Sequence, residues 1–303
     1  MSTRRRARTI LQFLAALLTL TATATGTAQA SEPTLLHFNH TYGVFDRETA
    51  DAIEHSPYLK DFANFQVRTT TGAGGEKWTG RYLMGRETYL ELFGTGDVPG
   101  TDLGSAGMGL SVEHTGQLST VVQHLRDAGW ANPLEFQQTR DFGDGKPIPW
   151  FDGVFTTDQY DTFGAWGMEY RPEYFADPRS NTGPAQYPGD ISRNRYLPDD
   201  YRTHLMRDVT GVRLGITARD LANTLPLLRA GGLTVHELPT GAIATDGQTT
   251  IRLETAPANE VGLRQLDLAL NHPTGTRHVE HLGHSTLTVG PGPHAHWTFT
   301  PRT

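Results

Sequence analysis

The side chain with the most chemistry to offer is Glu91. In the run Glu87-Thr88-Tyr89-Leu90-Glu91-Leu92-Phe93, strand alternation puts Tyr89, Glu91 and Phe93 on one face and Leu90 and Leu92 on the other. A carboxylate set between two aromatic rings needs a partner, because a buried unpaired charge is costly or takes up a proton. That partner is a cation, a hydrogen-bond donor or a metal ion. Arg81 or Lys77 on the neighbouring strand would make Glu91 purely structural, just as His40 would be a core histidine if it bonded Tyr42 or Tyr82. A second group lies near the C-terminus, where His278, His281 and His284 recur every third residue around Glu280, and His294 and His296 would share a face if that stretch is a strand. Such spacing can chelate Zn or Cu. Gly283, Gly290, Pro291, Gly292 and Pro293 nevertheless place most of these histidines in turns, where an exposed His is usually just solvated. No GxSxG, HExxH, P-loop or dinucleotide fingerprint occurs, so serine-hydrolase, zincin, nucleotide-dependent and Rossmann chemistry have no motif support.

The elements that must position these residues repeat. Residues 35–45 alternate as a strand, Asp46 can cap a helix over 47–59, and strands follow at 62–71, 77–84 and 88–93. After a Gly-rich loop the order recurs: a strand at 108–112, a helix over 117–128 with Leu118, Val121, Val122 and Leu125 on one face, and strands at 134–140, 150–156 and 163–170. A segment over 172–207, punctuated by Pro172, Pro178, Pro184, Pro188 and Pro198, reads as a linker or wrapping loop. The β-α-β-β-β order then appears a third time across 209–254, and three strands without a helix follow, as a degenerate fourth unit would. Two such units can pair to close a sheet that neither closes alone.

Composition narrows the partners. The chain has 303 residues and a formal charge of −7. Arg4, Arg5, Arg6 and Arg8, an apolar stretch over 10–20 and Ala28-Gln29-Ala30 read as a secretory signal peptide over residues 1–30, with Sec or twin-arginine export both open. Removing these four arginines and no acid takes the charge from −7 to −11. An acidic body argues against nucleic acid or an anionic membrane surface as partner, and the apolar stretch is too short for a stable span in the mature protein. With no Cys, an exported chain holds together without disulfides.

Tandem β-α-β-β-β units, with the wording Phe38-Asn39-His40-Thr41-Tyr42, Gly80-Arg81-Tyr82, Thr88-Tyr89-Leu90-Glu91-Leu92-Phe93, Pro149-Trp150-Phe151 and Met168-Glu169-Tyr170, resemble the vicinal oxygen chelate superfamily. That superfamily holds glyoxalase I, the extradiol dioxygenases and the bleomycin-resistance proteins. More closely, the wording is similar to an uncharacterised bacterial family of that fold. The resemblance implies an α+β fold of cupped mixed sheets. One paired glyoxalase-like domain would span 31–171, and a third unit with a degenerate fourth would span 208–303.

It also implies a divalent metal (Mn, Fe, Ni, Co or Zn) bound by His40, Glu91 and Glu169, with Met108 departing from the pattern as a poor ligand for such ions. Glu169 or Glu91 would act as catalytic base, and Gly211 and Arg252 leave the third unit without a metal site. Tyr42, Tyr82, Tyr89 and Trp150, with Phe151 and Trp166, would wall a substrate pocket, though Trp and Tyr are also ordinary sheet-core residues. Two functions follow from the resemblance. One is a secreted metal-dependent lyase, isomerase or dioxygenase-type enzyme acting on a small oxygen-rich molecule; the other is a metal-free protein that binds or sequesters a small molecule.

Overall fold

The computed structural model describes residues 33–197 and 199–300; the signal-peptide expectation over residues 1–30 lies outside the described residues. The first unit runs β1 (His37–Phe45), α1 (Arg47–His55), α2 (Pro57–Phe62), β2 (Asn64–Thr71), β3 (Lys77–Met84) and β4 (Tyr89–Gly94). One helix was expected over 47–59, but Pro57 cannot donate a helical hydrogen bond and restricts Ser56 before it. Ser56 ends α1 and caps α2, its Oγ accepting from Leu59 N at 3.2 Å. Asp46 caps α1 as expected, accepting from Thr49 N at 3.0 Å.

The second unit runs β5 (Ala106–Ser111), α3 (Gln117–Asp127), β6 (Leu134–Arg140), β7 (Ile148–Phe155) and β8 (Phe163–Tyr170). The two units share one mixed eight-stranded sheet in the order β2-β3-β4-β1-β5-β8-β7-β6. β1 runs parallel to β4 and antiparallel to β5, so the two units join through their opening strands.

Short helices α4 (Pro172–Ala176) and α5 (Arg193–Tyr196) lie in the Pro-rich segment. That segment packs closely: Tyr174, Ile191, Arg193 and Tyr196 are buried, and Tyr196 stacks on Tyr170 with ring centroids 4.3 Å apart. The third unit then supplies β9 (Met206–Ile216), α6 (Ala218–Ala230), β10 (Thr234–Leu238), β11 (Gly241–Thr245) and β12 (Thr250–Thr255). The fourth supplies β13 (Gly262–Thr274), β14 (His278–Leu282), β15 (Ser285–Val289) and β16 (Gly292–Phe299), with no helix between its first two strands. These form a second sheet, β10-β11-β12-β9-β13-β16-β15-β14, in the same topological order as the first. The glyoxalase-like fold class is therefore as expected. The exception is β14, which was read as turn because of the Gly and Pro around its histidines.

The missing fourth helix has a physical counterpart. The α1–α2 pair of the first unit lies against β14 and the turn after it: His284 N donates to Thr49 Oγ1 at 2.9 Å, and Tyr58 stacks on His278 at 3.9 Å. In exchange α6 packs on α3 and β8, and its fully buried Asp220 accepts from the backbone N–H of Asp161, Thr162 and Phe163. One hydrophobic core runs through both sheets. Among the described residues no helix is long and apolar enough to cross a membrane.

Candidate functional site

The inner face of the first sheet holds a cavity of about 270 Å³. Nine of its thirteen lining residues are Phe, Tyr or Trp, and the others are His40, Glu91, Val98 and Gln138. Sheet register explains the selection. His40 pairs with Tyr89 and Tyr42 with Glu91 across the parallel β1–β4 ladder, and paired residues point to the same side. Phe93 follows Glu91 on that face. From the other unit come Trp166, Phe155, Phe151 and Phe136, each in register with the next strand.

The sheet curls until its two edges meet. Asp141 N donates to Thr71 O at 3.1 Å, and Ala73 N donates to Gln138 Oε1 at 2.6 Å. β2 and β6 thereby close the cup into a barrel at that end, which also protects both edges from pairing with other chains.

His40 stacks on Tyr89 with ring centroids 4.5 Å apart and meets Trp166 edge-on at 5.2 Å. A register slip between Phe38 and His40 turns Asn39 inward beside it. Asn39 directs its amide nitrogen at Ser111 Oγ (3.0 Å) and Tyr170 Oη (3.3 Å), and its Oδ1 lies 2.8 Å from His40 Nδ1. The amide oxygen thus accepts from Nδ1–H, leaving the Nε2 lone pair free. Burial lowers the His40 pKa to about 3, so the ring is neutral. Burial pushes Glu91 up to about 7 from an ordinary 4.5, against the opposing pull of Arg68 and Arg140 and a hydrogen bond with Tyr89. Burial, with Glu91 nearby, also raises Tyr42 to about 12.

Of the expected site residues, His40, Tyr42, Tyr89, Glu91 and Trp150 line this cavity together. Tyr82 is in register with Glu91 and buried behind it, its hydroxyl accepting from Trp78 Nε1 at 3.2 Å. Glu169 does not join them. Its carboxylate accepts from Gly116 N at 2.7 Å and Leu118 N at 3.0 Å, holding the start of α3 on the opposite face of the sheet. The small residues beside Glu169 make room for that helix rather than for a ligand: a Cβ on Gly167 would sit 3.3 Å from Leu118 Cδ1.

The reason is phase. Shifting one residue along a strand turns a side chain to the other face, and the cavity-facing positions of β5 and β8 are Gly107, Gly109 and Trp166 rather than Met108 and Glu169. A Cβ on Gly107 would strike the Tyr42 ring, and one on Gly109 the His40 ring. The second unit therefore offers no ligand opposite His40 and Glu91. Two donors do not make the three-protein-ligand centre implied by the resemblance, and the cavity does not fit that metal.

One structural alternative to metal binding falls away too. Arg81 turns away to bond Glu54 at 2.6 Å and Asp97 at 2.5 Å, so it is not the partner of Glu91. Among the described residues one loose group of possible metal donors has ligand atoms within 4.8 Å of one another, and it is Asp46, Glu48 and His284, outside the cavity. The C-terminal histidines otherwise disperse, with His281 on Thr286 and His296 on Asp267 at 2.7 Å.

Sequence reasoning missed Arg68, Arg140, Trp78, Phe136, Phe155 and Gln138. A signal existed for the two arginines, since each lies on the second strand of its unit, the strand at the sheet edge. Arg68 lies 4.2 Å over the Tyr82 ring and Arg140 lies 5.0 Å from the Trp150 ring.

Residues 38–299 match the model of a family of unknown function, DUF5829. No match was found among curated proteins. Among solved structures, a hypothetical protein from Staphylococcus aureus aligns at 9% identity and TM-score 0.48, over 82% of this chain and 96% of that one. Homoprotocatechuate 2,3-dioxygenase from Arthrobacter globiformis aligns at 11% identity and TM-score 0.39, over 76% of this chain and 62% of that one. The 2,2',3-trihydroxybiphenyl 1,2-dioxygenase of Sphingomonas wittichii strain RW1 aligns at 11% identity and TM-score 0.37, over 88% and 93%.

Proposed function

The chain belongs to the DUF5829 family, and for it we propose the binding or sequestration of a small ring-bearing molecule in the first sheet's barrel, without a metal. The observation that carries this reading is the cavity itself, with aromatic walls, a closed edge, and His40 and Glu91 as its sole imidazole and carboxylate among the described lining residues. An engineered apolar cavity of about 150 Å³ holds benzene, so one of about 270 Å³ has room for one or two rings. Small-molecule sites generally have this make-up, a largely apolar wall with a few placed polar groups. Neutral His40, with its free Nε2, and Glu91 give the occupant an acceptor and a group that donates when protonated.

The test is binding without metal. Protein purified without chelator or nickel should carry no stoichiometric metal, and its melting temperature should not respond to Mn, Fe, Ni, Co or Zn. Aromatic probes should quench its tryptophan fluorescence equally with and without EDTA. A stoichiometric metal that is lost in His40→Ala would overturn the reading and restore the metal-dependent one. The signal-like residues 1–30 add the proposal that binding takes place outside the cytoplasm, which a reporter fused to those residues would test by its export.

A further inference from the structure

Resting on that binding reading, we propose that the occupant is a one- or two-ring aromatic carboxylate whose acid group is held by Arg140 and the Trp150 indole N–H. In the cavity wall and just behind it, five buried donors have no acceptor of the protein within reach among the described residues: the indole N–H groups of Trp150 and Trp166, which line the cavity, and Arg68 Nε and Arg140 Nε and Nη1, which lie against Tyr82 and Trp150. No carboxylate oxygen there is buried and unmatched in the same way. Buried polar groups in proteins are matched with few exceptions, so a wall with only donors left over calls for acceptor atoms on the ligand.

Charge points the same way. The guanidinium groups of Arg68 and Arg140 act on Glu91 through space, and Glu91 is the one acid lining the cavity among the described residues. Two cations close to at most one anion leave a net positive surround within an acidic chain. That disfavours an organic cation, which the aromatic rings alone would have welcomed. Arg140 lies against the cavity-lining Trp150, its guanidinium carbon 5.0 Å from the indole ring, so its unmatched N–H groups neighbour a wall whose own indole N–H is unmatched. A planar carboxylate suits a guanidinium fork and can stay coplanar with an attached ring that packs on the cavity's aromatic walls.

Titration of the whole chain, followed by calorimetry and tryptophan fluorescence, with naphthoate, naphthylmethanol and naphthylmethylammonium tests this. Naphthoate should bind at least about tenfold more tightly than the neutral alcohol, the scale of a charge-assisted hydrogen bond. Arg140→Gln should erase that preference while leaving the alcohol's affinity within about twofold. Trp150→Phe keeps a ring but removes the N–H, and should weaken naphthoate more than the alcohol, which keeps the proposal testable if Arg140→Gln does not fold. If the alcohol or the ammonium binds wild type as tightly as naphthoate, the carboxylate assignment falls while the binding reading stands. If none of the three binds, the binding reading falls and takes this inference with it.

Discussion

The two eight-stranded sheets have the same strand order, yet their inner faces are built for different work. Counted from the helix after each opening strand, Gly211, Arg213 and Arg252 occupy the places of His40, Tyr42 and Glu91, and the ladder registers agree. Where the first sheet has rings around a carboxylate, the second has a polar surface that pairs with itself. Glu254 bonds Arg213 at 2.8 Å and Arg252 at 2.6 Å, and Asp267 bonds His296 at 2.7 Å, all at least partly in water. The first sheet's edges meet at Thr71 and Asp141, whereas no bridge joins β10 to β14 among the described residues. One topology thus yields an aromatic-walled cavity in one copy and a polar, partly solvated face in the other. What decides is the residue class on one face of each strand, not the fold.

The largest expected contrast is in pH dependence. The folded protein holds the Glu91 proton up to about pH 7, whereas an ordinary carboxyl loses it near 4.5. Stability from this group is therefore full below pH 4.5, falls as pH rises toward 7 and is level above that. Glu91→Gln should remove this slope, leaving the variant about 2 to 3 kcal/mol more stable than wild type at pH 8 relative to pH 4. Urea melts at both pH values measure it, and Arg252→Gln in the second sheet should leave the difference unchanged. A slope that survives Glu91→Gln would mean that the carboxylate is not desolvated.

Next in size is a pair of glycine substitutions. A Cβ on Gly109 would lie 2.4 Å from His40 Cε1, in a ring held by Tyr89, Trp166 and Asn39. Gly109→Ala should cost about 2 kcal/mol by overpacking and weaken aromatic probes. A Cβ on Gly211 meets Asp267 Oδ2 at the same 2.4 Å, but that side chain is 40% exposed and can swing aside. Gly211→Ala should therefore move the urea midpoint little; equal losses at both positions would remove the distinction between packed and open faces.

The repeat made the fold legible. Each of the first three units carried the same order of helical and alternating segments, and most strand ends fell within two residues of those observed, as for 77–84 and 163–170. In the first unit the site was legible as well, because alternation through Tyr89, Glu91 and Phe93 had the right phase. The second unit failed by a single residue, since Met108 and Glu169 look like ligand positions until the register shows Gly107, Gly109 and Trp166 facing inward. No periodicity reveals the slips between Phe38 and His40 and between Gln138 and Thr139. The first brings Asn39 in beside His40, and the second lies where β6 ends in Arg140. The closing contact between β2 and β6 is likewise long-range, and composition carries no trace of it.

Glu169 provides a smaller effect that separates the sheet's two faces. If its work is to hold the first turn of α3, Glu169→Gln should lose one of two backbone bonds and the favourable charge at the helix start, about 1 kcal/mol. Probe affinity should not change, because the carboxylate lies across the sheet from the cavity. A loss of binding without loss of stability would instead return Glu169 to the site.

The smallest effect should come from the second sheet's ion pairs. Arg252 and Arg213 share Glu254, and both arginine side chains are about half exposed, at 49% and 48%. Exposed pairs of this kind contribute about 0 to 1 kcal/mol, and salt screens them. Arg252→Gln should therefore shift stability by less than about 0.5 kcal/mol, and the shift should vanish in 1 M salt. It should also leave the affinity for aromatic probes intact. A large, salt-resistant loss would show that this face is desolvated after all, and the contrast between the two sheets would then lie in which ligand each encloses rather than in whether it encloses one.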